Sequence, residues 1–233
     1  MEQICGIRLY GSQARGDADR WSDCDVLVVA RSTIPPARRS VIAHWLTSSL
    51  ELIPSISYYS ADKIKDMYVT GDLFAWHLFK ESKKLGEASD MLDQLVPAEY
   101  RRAAQHVAAF HKVLTGVHPS LKSSSKTSNY ESGLLFVCAR NMAMSASWYI
   151  PEGPFFDRAS PFRLYARTGI RFPLTEEEHL GNMIARARGQ RGEQQNVKPA
   201  SEVMEMAERM IRWAREIQGF VDGQQGGIRA GSR

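Results

Sequence analysis

The chain has 233 residues, 43% of them hydrophobic and 24% charged, with a net charge of +4. That is enough apolar side chain for one large or two small packed domains, and a charge this mild admits anionic ligands such as ATP or RNA without requiring them. No apolar run approaches a membrane span, no leader-like segment opens the chain, and Cys5, Cys24 and Cys138 form neither a disulfide framework nor a zinc site, so a reduced, cytoplasmic protein with no membrane partner is expected. In chain order, Ile7 to Tyr10 and Val26 to Ala30 read as short buried strands, apolar and bounded by polar or glycine-containing segments. Pro36 to Leu50 reads as a helix with proline suited to its first turn, and Ile56 to Tyr59 as a third strand. Ser60 is the expected N-cap of a helix carrying Ile64 and Met67, and a further helix is expected from about Gly71 to Lys84, ended by Gly86. The second half is helical throughout. Apolar stripes predict helices from Glu99 to Leu114, from Tyr130 to Tyr149 at the centre of a bundle, from Thr175 (as N-cap) onward, and from Ser201 to Val221. The Ser- and Lys-rich stretch 119–129 reads as a mobile loop, and residues 223–233 as a disordered tail.

The chemistry is concentrated between the first two strands. Gly11-Ser12 is followed by ten residues and then by Asp23-Cys24-Asp25. Alternate residues of a strand share a face, so Asp23 and Asp25 are expected to project together with Cys24 turned away. Two adjacent carboxylates repel unless a cation lies between them, and hard oxygen donors favour Mg²⁺. Gly11 lets the backbone approach a ligand closely, and the Ser12 hydroxyl with nearby N–H groups can donate to phosphate oxygens. Arg15 can add a forked guanidinium contact to phosphate, or pair with Asp17 or Asp19 at the surface. A phosphate cradle beside a metal clamp is what transfer from a nucleoside triphosphate needs.

The run Leu9-Tyr10-Gly11-Ser12-Gln13-Ala14-Arg15-Gly16-Asp17, continued by Ser22-Asp23-Cys24-Asp25-Val26-Leu27, resembles the DNA polymerase beta-like nucleotidyltransferase superfamily in its minimal branch. The resemblance implies an α+β protein: an N-terminal nucleotidyltransferase fold (a small mixed sheet with flanking helices) over residues 1–92, then an all-α helical bundle over 93–222. It implies transfer of a nucleoside monophosphate, AMP from ATP foremost, to an acceptor hydroxyl on a small molecule, a protein or RNA. Catalysis and the metal would rest on Asp23 and Asp25, with Gly11, Ser12 and Arg15 holding the nucleotide. A third carboxylate is expected on the third strand near Ser55 or Ser57. Neither is acidic, and Glu51 and Asp62 only flank the strand. The sequence therefore supports nucleotide binding better than turnover, and a catalytically impaired nucleotide-binding or scaffold protein of a toxin–antitoxin or defence type is the alternative.

The helical half resembles the HEPN-type domains and the substrate lobes of aminoglycoside nucleotidyltransferases. Arg140-Asn141, the connection Gly153 to Arg158 with Ser160-Pro161-Phe162, and Ala185 to Gly189 carry that likeness. Ser145, Ala146 and Ser147 stand where a HEPN ribonuclease would place its histidine. A substrate-binding role follows, with the acceptor expected near Phe155, Phe156 and Arg158. A homodimer or a helical-domain partner is compatible with the layout. His77, beside Trp76 on an apolar helix, reads as a packed or hydrogen-bonded histidine.

Overall fold

The computed structural model describes residues 4–86, 90–193 and 196–230. It is α+β, with two compact units, Met1–Arg101 and Arg102–Arg233.

The first unit is built on a four-stranded mixed sheet of order β3-β2-β1-β4. Strand β1 (Ile4–Tyr10) leads through a five-residue helix, α1 (Gly11–Arg15), toward β2 (Cys24–Ala30), which lies antiparallel to it. Helix α2 (Pro36–Leu50) crosses over to β3 (Pro54–Ser60), parallel to β2. Strand β2 is buried along nearly its whole length, as its unbroken apolar run dictates. Its alternate residues divide the core. Cys24, Val26, Val28 and Ala30 pack with Ile42 and Leu46 of α2 on one face. Leu27 and Val29 pack on the other with α3 (Ala61–Val69) and α4 (Leu73–Glu81), through Ile64, Tyr68, Ala75 and Leu78. Ser60 caps α3 by accepting from the Lys63 N–H, and Asp72 caps α4 through the Phe74 N–H.

Helix α4 is shorter than its apolar pattern suggests. Past Ser82 the chain is extended, and β4 (Lys83–Lys84) pairs with Arg8 and Leu9 of β1. The open edge of β1 has backbone groups to satisfy, and two lysines on a very short edge strand discourage further pairing. The first unit also reaches beyond the expected limit at residue 92. Leu92 belongs to its core, the Ala98 N–H donates to the Tyr68 carbonyl, and Trp76 Nε1 donates to the Ala98 carbonyl. Asp90 explains why this stretch is held. Its Oδ2 lies 2.8 Å from Arg8 Nε, its Oδ1 accepts the Leu92 N–H, and its side chain is 1% exposed. Asp90→Ala should lower stability by about 2 kcal/mol, because it leaves the buried Arg8 Nε and the Leu92 N–H without their acceptor and Arg8 paired with the half-exposed Asp93 alone. Urea denaturation with a second, spectroscopically independent probe checks this.

The second unit is helical, with α5 (Ala103–Thr115), α7 (Ser128–Ala146), α10 (Glu176–Arg191) and α11 (Ala200–Ala230) as its long members. Helix α7 is central, packing on α5, α10 and α11. Its small residues allow this: a Cβ on Gly133 would lie 3.0 Å from the Arg186 Cα, so α7 and α10 meet nearly backbone to backbone. Thr175 caps α10 in a reciprocal pairing with Glu178. Shorter helices α6 (Val117–Ser123), α8 (Ser160–Arg163) and α9 (Tyr165–Thr168) fill the connections.

One expectation is corrected here. The stretch 119–129 is not a mobile loop: α6, a 3₁₀ turn (Ser125–Thr127) and the start of α7 occupy it. Pro119 sits in the first turn of α6, where its missing N–H costs nothing, and Leu121 is buried. The hydroxyls that suggested a loop are local partners instead. Ser124 Oγ accepts the Lys126 N–H, Thr127 Oγ1 donates to the Ser124 carbonyl, and Ser120 Oγ donates to buried Glu131. Helix α11 runs on from the packed stretch between Val203 and Val221 to Ala230. Residues 231–233 lie outside the described residues. No described helix is long and apolar enough to cross a membrane.

Candidate active site

Of the sequence-predicted residues, Gly11 and Asp25 come together at one end of the first unit's sheet, with Ser12 following Gly11 and Asp23 just ahead of β2. The antiparallel register sets Tyr10 opposite Asp25, and the parallel register sets Asp25 opposite Ser55. Tyr10, Asp25 and Ser55 therefore form one row across three strands, on the face that α3 and α4 cover. Arg8, Leu27 and Ser57 form the next row. Cys24, between the aspartates, faces the other way into the α2 side of the core. Asp23 stands exposed at the entrance to β2, and Asp25 is half-buried.

Gly11 closes the row from above. Its φ is +72°, a left-handed conformation that a side chain strains, and a Cβ built on it would lie 2.8 Å from Asp25 Oδ2. The glycine is thus required twice, by backbone conformation and by the carboxylate pressed against it. Gly16, with φ +86°, ends α1, and the Ser12 carbonyl accepts the N–H groups of Gly16 and Asp17. The Ser12 hydroxyl is engaged by no protein group among the described residues, and Ser12 is half-buried beside Gly11.

Around this row lies a network that sequence reading underestimated. Arg15 Nη1 donates to Glu81 Oε2 at 2.7 Å, and Arg15 Nε donates to Asp17 Oδ2 at 3.2 Å. His77 Nε2 lies 3.1 Å from the same Glu81 oxygen. Burial alone would push the Glu81 carboxyl up, but hydrogen bonds from His77 and Arg15, and their charge, hold it below the usual carboxylate range. The Tyr10 ring packs edge-on against Phe74 at 5.5 Å and His77 at 5.7 Å. Burial pushes the Tyr10 phenol up; a hydrogen bond with Ser57 opposes this, and the charge of Asp25 adds to the rise. Glu81 carries no motif signal. Its only sequence cue is the four-residue spacing from His77 on a helix.

The third strand supplies hydroxyls where a third carboxylate is expected. Asp62 is placed out of reach by register: Ser60 is level with Ala30, and five residues separate it from Ser55, about 16 Å at roughly 3.3 Å per residue. Glu51 ends α2 with φ +54° and is exposed. Among the described residues no three His, Cys, Asp or Glu side chains gather as a metal site. The donor set nevertheless fits Mg²⁺ arriving with a nucleotide, since that ion is commonly held by one or two carboxylates together with phosphate oxygens and water.

Of the residues expected to meet an acceptor, the two phenylalanines are committed to the interior of the second unit, and Arg158 is half-buried. Phe155 and Phe156 are buried. The Arg163 guanidinium stacks on Phe155 at 3.8 Å, Arg140 Nη2 donates to the Phe156 carbonyl at 2.7 Å, and His179 Nε2 donates to the Arg158 carbonyl at 2.9 Å.

Residues 2–99 match the family described as nucleotidyltransferase domain. The match lies within the first unit and covers less than half of the chain, so it is the front unit that is similar to a nucleotidyltransferase domain. No curated protein matches the chain. Among solved structures, a toxin–antitoxin crystallised with AMP-PNP matches at 21% identity, over 40% of this chain and 67% of that one, with a TM-score of 0.27. A mutant of the toxin–antitoxin MntA-HpeT matches at 18% identity, over 40% and 69%, also with a TM-score of 0.27.

Proposed function

We propose that the nucleotidyltransferase domain moves a nucleoside monophosphate, AMP from ATP foremost, onto an acceptor hydroxyl and releases pyrophosphate. The observation that carries this reading is Gly11 pressed on Asp25: the phosphate turn and the carboxylate clamp are one structure. In it, the backbone of Gly11 and the hydroxyl of Ser12 receive the β- and γ-phosphates, and Asp23 and Asp25 hold Mg²⁺. The ion, when bound, supplies positive charge to the leaving pyrophosphate and to the attacking oxygen. The new bond joins the acceptor oxygen to the α-phosphorus as the bond from that phosphorus to the β-phosphate bridging oxygen breaks. The acceptor proton leaves to solvent water, since no side chain among the described residues stands in place as a base. Tyr10, its phenol pushed up, stays protonated and serves as a hydrogen-bond donor instead. With serines at 55 and 57 the chemical step lacks a dedicated base, which typically costs about 10²–10⁴-fold.

The acceptor class stays open among a small molecule, a protein and RNA, and the second unit acts as a substrate-binding or HEPN-like lobe. Buried thiols at Cys24 and Cys138 suit a reducing cytoplasm. The second reading, a nucleotide-binding scaffold without turnover, is favoured by Ser55 lying level with Asp25. Incubation with α-labelled ATP and Mg²⁺ separates the two. Transfer or pyrophosphate release that falls at least about 10²-fold in Asp23→Asn and in Asp25→Asn supports the enzyme. Tight Mg–ATP binding with no release across hydroxyl acceptors supports the scaffold, and no binding at all removes both.

A further inference from the structure

Helix α1 has five residues, far below the length at which a helix holds its own shape in water. It has no side-chain N-cap, and only Gly11 and Ala14 are buried. Yet it carries the turn that must present Gly11 and Ser12 at a fixed distance from Asp25. Something outside α1 has to hold it.

We propose that Glu81 is the positioning residue of this turn, acting through Arg15: one carboxylate on α4 anchors the last residue of α1 and so sets where Gly11 and Ser12 stand. Glu81 Oε2 receives Arg15 Nη1 at 2.7 Å and lies 3.1 Å from His77 Nε2, so a single oxygen joins α1 to the middle of α4. The Glu81 and Arg15 side chains are 17% and 19% exposed, which removes most of the solvent competition that makes surface pairs weak. His77 in turn abuts the Tyr10 ring, and Tyr10 immediately precedes Gly11, so both ends of the short helix rest on α4. Arg15 commits Nη1 to Glu81 and Nε to Asp17. Its role is therefore to fix the turn rather than to grip a phosphate. Depression of the Glu81 carboxyl agrees with an ionised partner for Arg15.

This inference rests on the transferase reading, and its test keeps the two apart. Binding of a non-hydrolysable ATP analogue with Mg²⁺ is measured by calorimetry for wild type, Asp25→Ala, Arg15→Ala, Glu81→Ala and the Arg15→Ala/Glu81→Ala double variant, with a melting curve for each. Wild type that fails to bind removes the reading and the proposal together. With wild type binding and Asp25→Ala impaired, Arg15→Ala and Glu81→Ala should each weaken binding about tenfold. The double variant should lose no more than either single one, because both break the same link. Glu81→Gln, which keeps an acceptor oxygen, should lose only about threefold, and it is the arm to read if Glu81→Ala melts below the working temperature. Wild-type affinity in Glu81→Ala and Glu81→Gln, or losses that multiply in the double variant, would overturn the proposal while leaving the transferase reading in place.

Discussion

Gly11→Ala should lower kcat/KM for nucleotide transfer by about 10²–10³-fold while the protein remains folded. Two effects act at that position. A left-handed conformation costs an alanine roughly 1–2 kcal/mol, which the first unit can absorb. The new methyl would also sit 2.8 Å from Asp25 Oδ2, closer than a Cβ comes to any oxygen, so one of the two must move. The carboxylate is the end of a flexible side chain, whereas Gly11 is backbone between β1 and α1. Asp25 therefore yields, and with it the metal clamp proposed for it. The expected signature is a melting temperature lowered by a few degrees with Mg–ATP binding and pyrophosphate release both largely lost. Transfer at wild-type rate in Gly11→Ala would mean that Asp25 does not act from the pose it holds beside the turn.

Legibility in the sequence followed the strength of the local signal. The β2 run and the Gly-Ser and Asp-x-Asp spacing pointed to the strands, the α2 helix between them and a glycine turn before β2, because strand alternation and a glycine turn are local properties of the chain; the contact of Gly11 with Asp25 was not legible. Capping was readable for the same reason at Ser60 and Thr175, where a side-chain oxygen meets an N–H three residues on. What escaped was non-local. Lys83 and Lys84 read as the end of a helix; only the unsatisfied edge of β1, more than seventy residues earlier, makes them a strand. Residues 119–129 looked like a loop because Ser and Lys carry no periodicity, although buried Glu131 gives Ser120 a partner. Arg15 was legible as a phosphate contact or a partner of Asp17, and the Asp17 pair is present; its link to Glu81 was not legible, because Glu81 lies far along the chain. Phe155 and Phe156 looked available to an acceptor, and their burial follows from packing that no motif announces.

The second large effect is a gain. Ser55→Asp should raise the rate of transfer by about 10²-fold, the low end of what a positioned base supplies. Ser55 is level with Asp25 on the neighbouring parallel strand, so the two Cβ atoms stand about 5 Å apart on the same face. Ser55 is also exposed, so a carboxylate fits there without disturbing the core. Two acids at that spacing repel when no cation is present, so the variant should melt lower than wild type in a chelator and recover when Mg²⁺ is added. That metal-dependent recovery distinguishes a completed site from a change that merely spares the fold. Ser57→Asp is the internal comparison. Ser57 is hydrogen-bonded to the half-buried Tyr10 phenol, so an acid there adds a desolvated charge and should cost stability with no gain in rate. If Ser55→Asp binds Mg–ATP as wild type does, melts normally and still transfers no faster, then the base is not what limits this protein, and the serines on β3 belong to a site built to hold a nucleotide rather than to spend it.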